Sequence, residues 1–200
     1  MTRLPPIDHQ ELAELARAYG QPSMRTISME GDEYLFATRL YRRLDRRGEI
    51  VLAIERPGHQ VLLHRKGWYA PQVYRLLTGG IGMSESVEDA LSRELMEETG
   101  LSVQSARLLG VLDCLIQFAQ AEVSFVSYVF HLPHTRGALR LPQTEDIADF
   151  REVPISDLAA VAEDLRQVAP PRTGWGRWRA HAHHFVHQAL TEPEACAAGE

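Results

Sequence analysis

The sequence has little cysteine and no long apolar run, and these absences exclude several classes of protein. Cys114 and Cys196 are the only cysteines among 200 residues, and they lie far apart. A disulfide scaffold or a cysteine-based zinc site would need more thiols at closer spacing. No stretch approaches the roughly 18 apolar residues of a membrane-spanning helix, and Met1 to Pro6 lacks a signal-peptide pattern. We therefore expect a soluble cytoplasmic protein.

An excess of positive charge is also missing. Asp and Glu number 27 against 21 Lys and Arg, which gives a formal net charge of -6. General nucleic-acid binders use surplus basic side chains to neutralise phosphates, so no such binding is expected. The one basic stretch, Arg39 to Arg47, could meet a phosphate, but we favour a solvated strand edge.

The length and composition predict one main domain with short appendages. A chain that is 44% hydrophobic can bury one substantial core at this length. We expect an N-terminal helix or arm over residues 1–33, a domain over 34–190 that ends in a helix, and a flexible tail over 191–200.

The residue pattern predicts a mixture of helices and strands. Helical spacing of apolar residues indicates helices over residues 8–19, 86–99, 156–167 and 176–190. Strand patterns bounded by turn residues cover residues 34–42, 49–55, 60–65, 103–113, 123–132 and 147–153, with the first three as adjacent antiparallel strands. This order predicts an α/β or α+β fold, an α/β/α sandwich around a mixed β-sheet.

The predicted helix over 86–99 concentrates three carboxylates on one arc. At 100° per residue, Glu98 lies about 40° from Glu94 on one side and Glu97 about 60° on the other. Such a cluster is usually a solvated acidic face. Here, however, Val87 and Leu91 fall about 20° and 60° from Glu94, so the carboxylates continue the apolar stripe. The positions expected to face outward are Glu88, Asp89, Ser92 and Met96.

Three clustered carboxylates need cations, because each like charge raises the pKa of the others. Hard oxygen ligands on one helix face suit Mg²⁺ or Mn²⁺, which also bridge to substrate phosphates. Just before the helix, Gly79, Gly80 and Gly82 would let a loop approach closely. Their backbone could offer carbonyl groups to a metal or N–H groups to a phosphate.

The segment GGIGMSESVEDALSRELMEETGL resembles the Nudix box, G-x5-E-x7-R-E-U-x-E-E-x-G-U with U aliphatic, at every defined position. The matching residues are Gly79, Glu85, Arg93, Glu94, Leu95, Glu97, Glu98, Gly100 and Leu101. The resemblance implies a Nudix fold for residues 34–190. It also implies a Mg²⁺-dependent hydrolase, with Mn²⁺ as an alternative ion, that cleaves the diphosphate of a nucleoside diphosphate linked to another group.

The resemblance also implies roles for single residues. Metal binding is expected of Glu94, Glu97, Glu98 and the backbone of Gly80 or its neighbour Gly79. Arg93 is expected to orient the glutamates through a salt bridge, so Arg93, Glu94 and Glu98 count as catalytic. Glu85 is expected to support the loop, in some relatives through Arg93. For the base that activates water, Glu145 is the first candidate and Glu122 the second, although Glu145 could equally be an ordinary loop acid.

Residues before the glycines are candidates for binding the substrate. Trp68, Tyr69 or Tyr74 could stack on a base while Arg65 or Lys66 meets a phosphate, although packing explains the aromatic residues as well. The substrate-binding residues that we predict are Arg65, Trp68 and Gly80. In the C-terminal segment His183 and His187 are one turn apart, and we favour packing over metal binding because no acid or cysteine accompanies them.

Markers of substrate choice lie outside the box, and the NADH-type run SQPWPFP is absent. An ADP-ribose or nucleotide-sugar type of substrate is weakly favoured. The alternatives are a nucleoside triphosphate, a dinucleoside polyphosphate, or a non-catalytic module that senses a nucleotide. The N-terminal extension is similar to that of nucleoside diphosphate-sugar pyrophosphatases, which often dimerise through such strands, and this similarity implies a homodimer.

Overall fold

A computed structural model of the chain describes residues 7–40, 45–142 and 146–192, with the side chains of residues 38 and 39 left aside. Its helices are α1 (His9–Tyr19), α2 (Val87–Thr99), α3 (Leu158–Arg166) and α4 (Thr173–Thr191), with a π-helix over Leu35–Leu40 and a 3-10 turn over Ile155–Asp157. The strands are β1 (Ser23–Glu30), β2 (Arg46–Arg56), β3 (Gln60–Lys66), β4 (Arg75–Gly82), β5 (Ser102–Phe118), β6 (Ala121–Arg136) and β7 (Ile147–Pro154).

The described strands form one mixed sheet with helices on both faces. Its strand order is β1-β5-β6-β2-β4-β3-β7. The pairs β1–β5 and β2–β6 are parallel, and the other neighbours are antiparallel. One face packs against α1 and α2, and the other against α3, α4 and the π-helix. The predicted fold class is therefore confirmed.

Local signals at both ends define α2. Ser86 stands at the N-cap and its hydroxyl accepts a hydrogen bond from the backbone N–H of Asp89 at 3.0 Å. At the other end Gly100 adopts a left-handed conformation with φ of 74°, which glycine takes without a Cβ penalty. The helix predicted over 86–99 is thus confirmed to within a residue.

The strand predicted over residues 34–42 is wrong where the chain is described, because Leu35–Leu40 is helical. The carboxylate of Asp32 accepts a hydrogen bond from the backbone N–H of Leu35 at 2.8 Å, which starts the helix. Leu35, Phe36 and Leu40 are then buried in the core on the α4 side. Residues 41 and 42 lie outside the described part of the chain.

Two strands were not predicted. Strand β1 is a mostly exposed edge strand, so its side chains show no clear apolar alternation. Strand β4 contains the three glycines that the sequence placed in a loop, and Gly79 and Gly80 pair with Ile50 and Glu49 of β2. Strands β2 and β3, which we expected to be adjacent and antiparallel, do pair antiparallel next to their connecting turn, and β4 lies between them in the rest of the sheet.

No helix in the described ranges is both long and apolar enough to cross a membrane.

A buried histidine of α4, His183, forms a hydrogen bond with the backbone of β4. The Nδ1 atom of His183 donates to the carbonyl of Arg179 at 2.8 Å, and its Nε2 atom accepts from the backbone N–H of Leu76 at 2.8 Å. Only a neutral imidazole can donate and accept in this way. Burial lowers the pKa of His183 to about 3. This histidine therefore packs, as we favoured, and holds α4 against the sheet.

Because the pKa of His183 is lower in the folded chain than in the unfolded one, the unfolded state binds more protons below pH 6.5. Stability should therefore fall as the pH drops from 6.5 towards 3, by on the order of 2 kcal/mol between pH 7 and pH 5 from this group. His183→Gln keeps a donor and an acceptor but does not titrate, so its unfolding free energy should depend less on pH. Denaturant titrations at several pH values measure this, with exposed His9→Gln as control. An unchanged slope in His183→Gln would contradict the assignment.

Candidate active site

The glutamates of α2 lie beside β4, an inner strand of the sheet, where Glu94 packs against Gly79. Glu94 and Glu98 are buried at 8% and 2% exposure, whereas the side chain of Glu97 is half exposed. The four positions predicted to face outward, Glu88, Asp89, Ser92 and Met96, are all exposed. Glu94 and Glu98 therefore extend the buried stripe of the helix as predicted, whereas the prediction is wrong for Glu97, which lies at the exposed border of that stripe.

Arg93 binds three glutamates of the box through its three guanidinium nitrogen atoms. Its Nη1 atom donates to Glu94 at 2.8 Å and to Glu97 at 3.0 Å. Its Nε and Nη2 atoms donate to the two carboxylate oxygens of Glu85 at 2.7 and 2.9 Å. The Glu85 hydrogen bond is the main reason that the pKa of Arg93 is raised. One guanidinium thus brings three carboxylates together.

Glu85 connects this cluster to the end of β4. Its Oε2 atom accepts from the backbone N–H of Gly82 at 2.9 Å as well as from Arg93. The hydrogen bond from Arg93 lowers the pKa of Glu85 and keeps it ionised. The resemblance to the box implied that Glu85 supports the loop before α2, and these hydrogen bonds to Gly82 and Arg93 are consistent with that role.

The glycines of β4 make room for the acidic helix. A Cβ atom at Gly79 would overlap the side chain of Glu94, so only glycine leaves space for that carboxylate. The carbonyl of Gly80 accepts from Nη2 of Arg93 at 2.9 Å. This carbonyl, which we predicted as a metal ligand, faces the guanidinium of Arg93.

Glu98 lies in a different part of the site from the other two glutamates. Its Oε1 atom is 3.4 Å from Nζ of Lys66, and its Oε2 atom is 3.9 Å from Nδ1 of His64. Burial holds the pKa of His64 well below its usual value, so this fully buried ring is neutral. Lys66 is therefore a cation that compensates the charge of Glu98.

The donor set fits a hard divalent cation, although its members are held by protein cations. Among residues 7–40, 45–142 and 146–192, no group of three His, Cys, Asp or Glu side chains is arranged to hold a metal. Arg93 binds Glu94 and Glu97, while Lys66 lies at Glu98. Burial raises the pKa of Glu94, which shows that this carboxylate is costly to keep ionised. Buried carboxylate oxygens that are costly to keep ionised are suitable ligands for Mg²⁺ or Mn²⁺.

A cavity of about 300 Å³ opens beside these carboxylates. Its charged lining has four carboxylates and five cations, namely Glu49, Glu94, Glu97, Glu98, Arg46, Lys66, Arg75, Arg93 and Arg179. Its aromatic lining comes from Trp68, Tyr69, Phe125, Trp175 and Trp178. The cavity thus offers acids for a metal, cations for anionic groups and flat apolar surfaces within one space.

The structure brings most of the predicted site residues to this cavity. Trp68 and Gly80 line it together with the three glutamates and Arg93. Lys66 lines it as well, whereas the Arg65 guanidinium lies 6.0 Å from the centre of the Tyr74 ring, away from the cavity. Successive residues of a strand face opposite sides, which explains why only one of the two basic residues enters.

The two candidate bases have different outcomes. Glu145 lies outside the described residues, so its role stays a prediction. Glu122 accepts a hydrogen bond from Gln117 at 2.9 Å at the end of the β5–β6 pair, and it is not among the residues that line the cavity.

Three charged residues of the cavity, of which two are buried and Arg179 is largely buried, were missed by sequence reasoning. Arg179 of α4 donates to both carboxylate oxygens of Glu49 at 2.6 and 2.8 Å, and Ser127 donates to the same group. Arg75 donates to the Tyr69 hydroxyl at 2.8 Å. Glu49 and Arg75 each stand directly before an apolar run, in β2 and β4, and this position was the signal that could have identified them. No sequence pattern indicates that Glu49 of β2 pairs with Arg179 of α4.

Comparison with known proteins shows where the chain has relatives. Residues 43–175 match the NUDIX domain family model. The chain is 28% identical over 146 residues to the NAD-capped RNA hydrolase NudC of Pseudomonas syringae pv. syringae, a match that covers 71% of this chain and 49% of that protein. It is also 42% identical over 65 residues to the chloroplastic Nudix hydrolase 19 of Arabidopsis thaliana, covering 32% of this chain and 15% of that protein.

The matches span half or less of these curated relatives. Among solved structures, one described as an ADP compounds hydrolase superposes with a TM-score of 0.51 and 19% identity, covering 74% of each chain. At that identity the likeness concerns the fold alone.

The contact between Gly79 and Glu94 yields a prediction. Gly79→Ala should push Glu94 out of place and destabilise the fold by roughly 1 to 3 kcal/mol, as overpacked cores do. Gly82→Ala is the matched control, because its added Cβ would lie 3.5 Å from that of Glu85, an ordinary contact. Denaturant unfolding of both variants measures the difference, and equal stability would show that β4 does not require glycine at position 79.

Proposed function

This chain belongs to the Nudix family, and on that premise we propose that it hydrolyses the diphosphate linkage of a nucleoside diphosphate joined to another group, with Mg²⁺ or Mn²⁺ as the metal. The observation that carries the proposal is one cavity that holds the α2 carboxylates, five cations and five aromatic rings. A diphosphate is anionic, so it would bind the metal and the cations of this cavity. The flat base attached to it would stack on the aromatic rings.

The charges of the cavity support a diphosphate more than a neutral substrate. Its five cations already outnumber its four carboxylates, and a divalent cation would add further positive charge. Arg75 is almost fully buried, and the hydrogen bonds described for it run to neutral groups: the Tyr69 hydroxyl, the Leu76 carbonyl and the Thr78 hydroxyl. A buried guanidinium that faces such a cavity is suited to receive an anion.

The residues of the site divide the chemical work. Glu94, Glu97 and Glu98 would hold the metal, with Gly80 available as a backbone ligand. Arg93 orients Glu94 and Glu97, while Lys66 is close enough to Glu98 to meet substrate phosphate beside it. When bound, Mg²⁺ neutralises the diphosphate and makes water a better nucleophile. Glu145 remains our candidate for the base, and the carbonyl of the adjacent Asp146 accepts from Gly67, next to Lys66.

Substrate identity is the less constrained part of the proposal. An ADP-ribose or nucleotide-sugar substrate remains weakly favoured. The curated NudC relatives are named for NAD-capped RNA, which makes a dinucleotide with an internal diphosphate a further candidate. The small aromatic cavity would accept a mononucleotide portion of either, and the net negative chain gives no reason to expect general RNA binding.

A substrate panel tests the function directly. We expect Mg²⁺-dependent release of a nucleoside monophosphate from ADP-ribose, a nucleotide sugar or NADH, with slower turnover of nucleoside triphosphates and dinucleoside polyphosphates. Chromatography of the products shows which bond is cut. If a nucleotide binds but nothing in the panel is hydrolysed with either metal, the chain is a nucleotide sensor and the enzymatic proposal is wrong.

Glu98→Gln should lower turnover by roughly 100-fold or more, because even residues that only support a metal ligand contribute 10- to 100-fold. The metal-free fold should remain intact, since the variant removes a buried charge without changing its volume. Glu88→Gln on the exposed side of α2 is the matched control, and it keeps an acceptor for the Tyr19 hydroxyl. Turnover of the substrate found in the panel, measured against Mg²⁺ concentration, would expose a misplaced metal site if Glu98→Gln stayed active.

A further inference from the structure

Helix α1 precedes the residues that match the family model, yet it contacts the start of the acidic helix. We propose that Glu11 of α1 is a positioning residue for the metal-binding glutamates, acting through Arg47, Glu85 and Arg93. The inference rests on the proposed function, because it assumes that those glutamates bind a metal.

The first step is the contact of Glu11 with two groups of the domain. Its Oε1 atom accepts from Nη2 of Arg47 at 2.7 Å and from the backbone N–H of Val87 at 2.9 Å. The side chains of Glu11 and Arg47 are only 18% and 15% exposed, so solvent screens this pair weakly. Val87 is the first residue of α2, where a negative charge also interacts favourably with the positive end of the helix dipole.

The second step runs from Arg47 to the backbone beside the box. The Nε and Nη2 atoms of Arg47 donate to the carbonyl of Glu85 at 3.1 and 2.8 Å. The same Nη2 atom binds Glu11, so the carboxylate and the carbonyl share one guanidinium. Removal of Glu11 would leave Arg47 with only the Glu85 carbonyl and the Tyr128 side chain among its described partners, so the position of its guanidinium would be less constrained.

The third step carries this constraint to the metal ligands. With its carbonyl held by Arg47, Glu85 directs its carboxylate to Gly82 and to Arg93. Arg93 in turn binds Glu94 and Glu97. Each link is a charge-assisted or backbone hydrogen bond of 3.1 Å or less, so a displacement of Arg47 passes along to the carboxylates.

Docking of α1 does not itself require Glu11. Leu15 is buried against the α2 side of the sheet, and Tyr19 donates to Glu88 of α2 at 2.5 Å. A partly buried ion pair is an inefficient way to attach a helix, because desolvation offsets much of its attraction. The charge of Glu11 is therefore better explained by its effect on Arg47, which also binds the carbonyl of Glu85.

Four variants separate positioning from attachment. Glu11→Ala removes both contacts, whereas Glu11→Gln keeps an acceptor for Val87 but loses the charge that holds Arg47. Tyr19→Phe removes a contact between α1 and α2 that lies outside this chain of hydrogen bonds, and Glu14→Ala changes an exposed acid of the same helix. Mn²⁺ affinity, measured by electron paramagnetic resonance without substrate, is the main readout. Thermal unfolding and the Mg²⁺ dependence of hydrolysis accompany it.

We expect Glu11→Ala to weaken Mn²⁺ binding by about 3- to 10-fold, below the 10- to 100-fold typical of residues that touch a metal ligand directly. Glu11→Gln should lie between Glu11→Ala and wild type, and Tyr19→Phe and Glu14→Ala should bind Mn²⁺ like wild type. The metal concentration for half-maximal hydrolysis should shift in parallel while turnover at saturating metal changes little.

Two results would overturn the proposal. If Glu11→Ala binds Mn²⁺ like wild type, or if Tyr19→Phe weakens binding as much as Glu11→Ala, then Glu11 only attaches α1. In both cases the wild-type protein still binds metal and hydrolyses substrate, so the proposed function stands. A wild-type protein that binds neither Mn²⁺ nor Mg²⁺ would instead refute the proposed function and this inference with it.

Discussion

The structure depends on the guanidinium of Arg93, which holds three carboxylates that would otherwise repel one another. It binds Glu85, Glu94 and Glu97, and it also donates to the carbonyl of Gly80. These hydrogen bonds connect the helix α2 to the strand β4 next to the acidic side chains. In the proposed metal site, two of the ligands, Glu94 and Glu97, would be held together before any ion binds, while Arg93 would compete with the ion for the same oxygens.

Two further polar contacts hold the surrounding elements against this centre. On one face of the sheet the neutral ring of His183 joins α4 to β4, which brings Arg179 and Trp178 to the cavity. On the other face Glu11 joins α1 to the first residue of α2. Helix α1 lies outside the range that matches the family model, and most of α4 lies beyond its end.

Several elements could be predicted from the sequence because their signals are local. The caps at Ser86 and Gly100 and the apolar stripe of α2 lie within one short segment. The signals failed where an element depends on distant partners. Residues 35–40 have a strand-like composition but become helical because Asp32 caps them and the core takes their apolar side chains. The glycines of β4 look like a loop until β2 pairs with them.

By itself the sequence determined the family, the α/β/α class and the three glutamates of the acidic helix, because a gap-free motif and helical periodicity need no long-range information. Only the tertiary structure decided which other charges meet them. Strand alternation turned Lys66 towards the cavity and Arg65 away from it. Sheet order and the packing of α4 brought Glu49, Arg75 and Arg179 together from positions up to 130 residues apart. Such pairings follow from how elements pack, which no local pattern records.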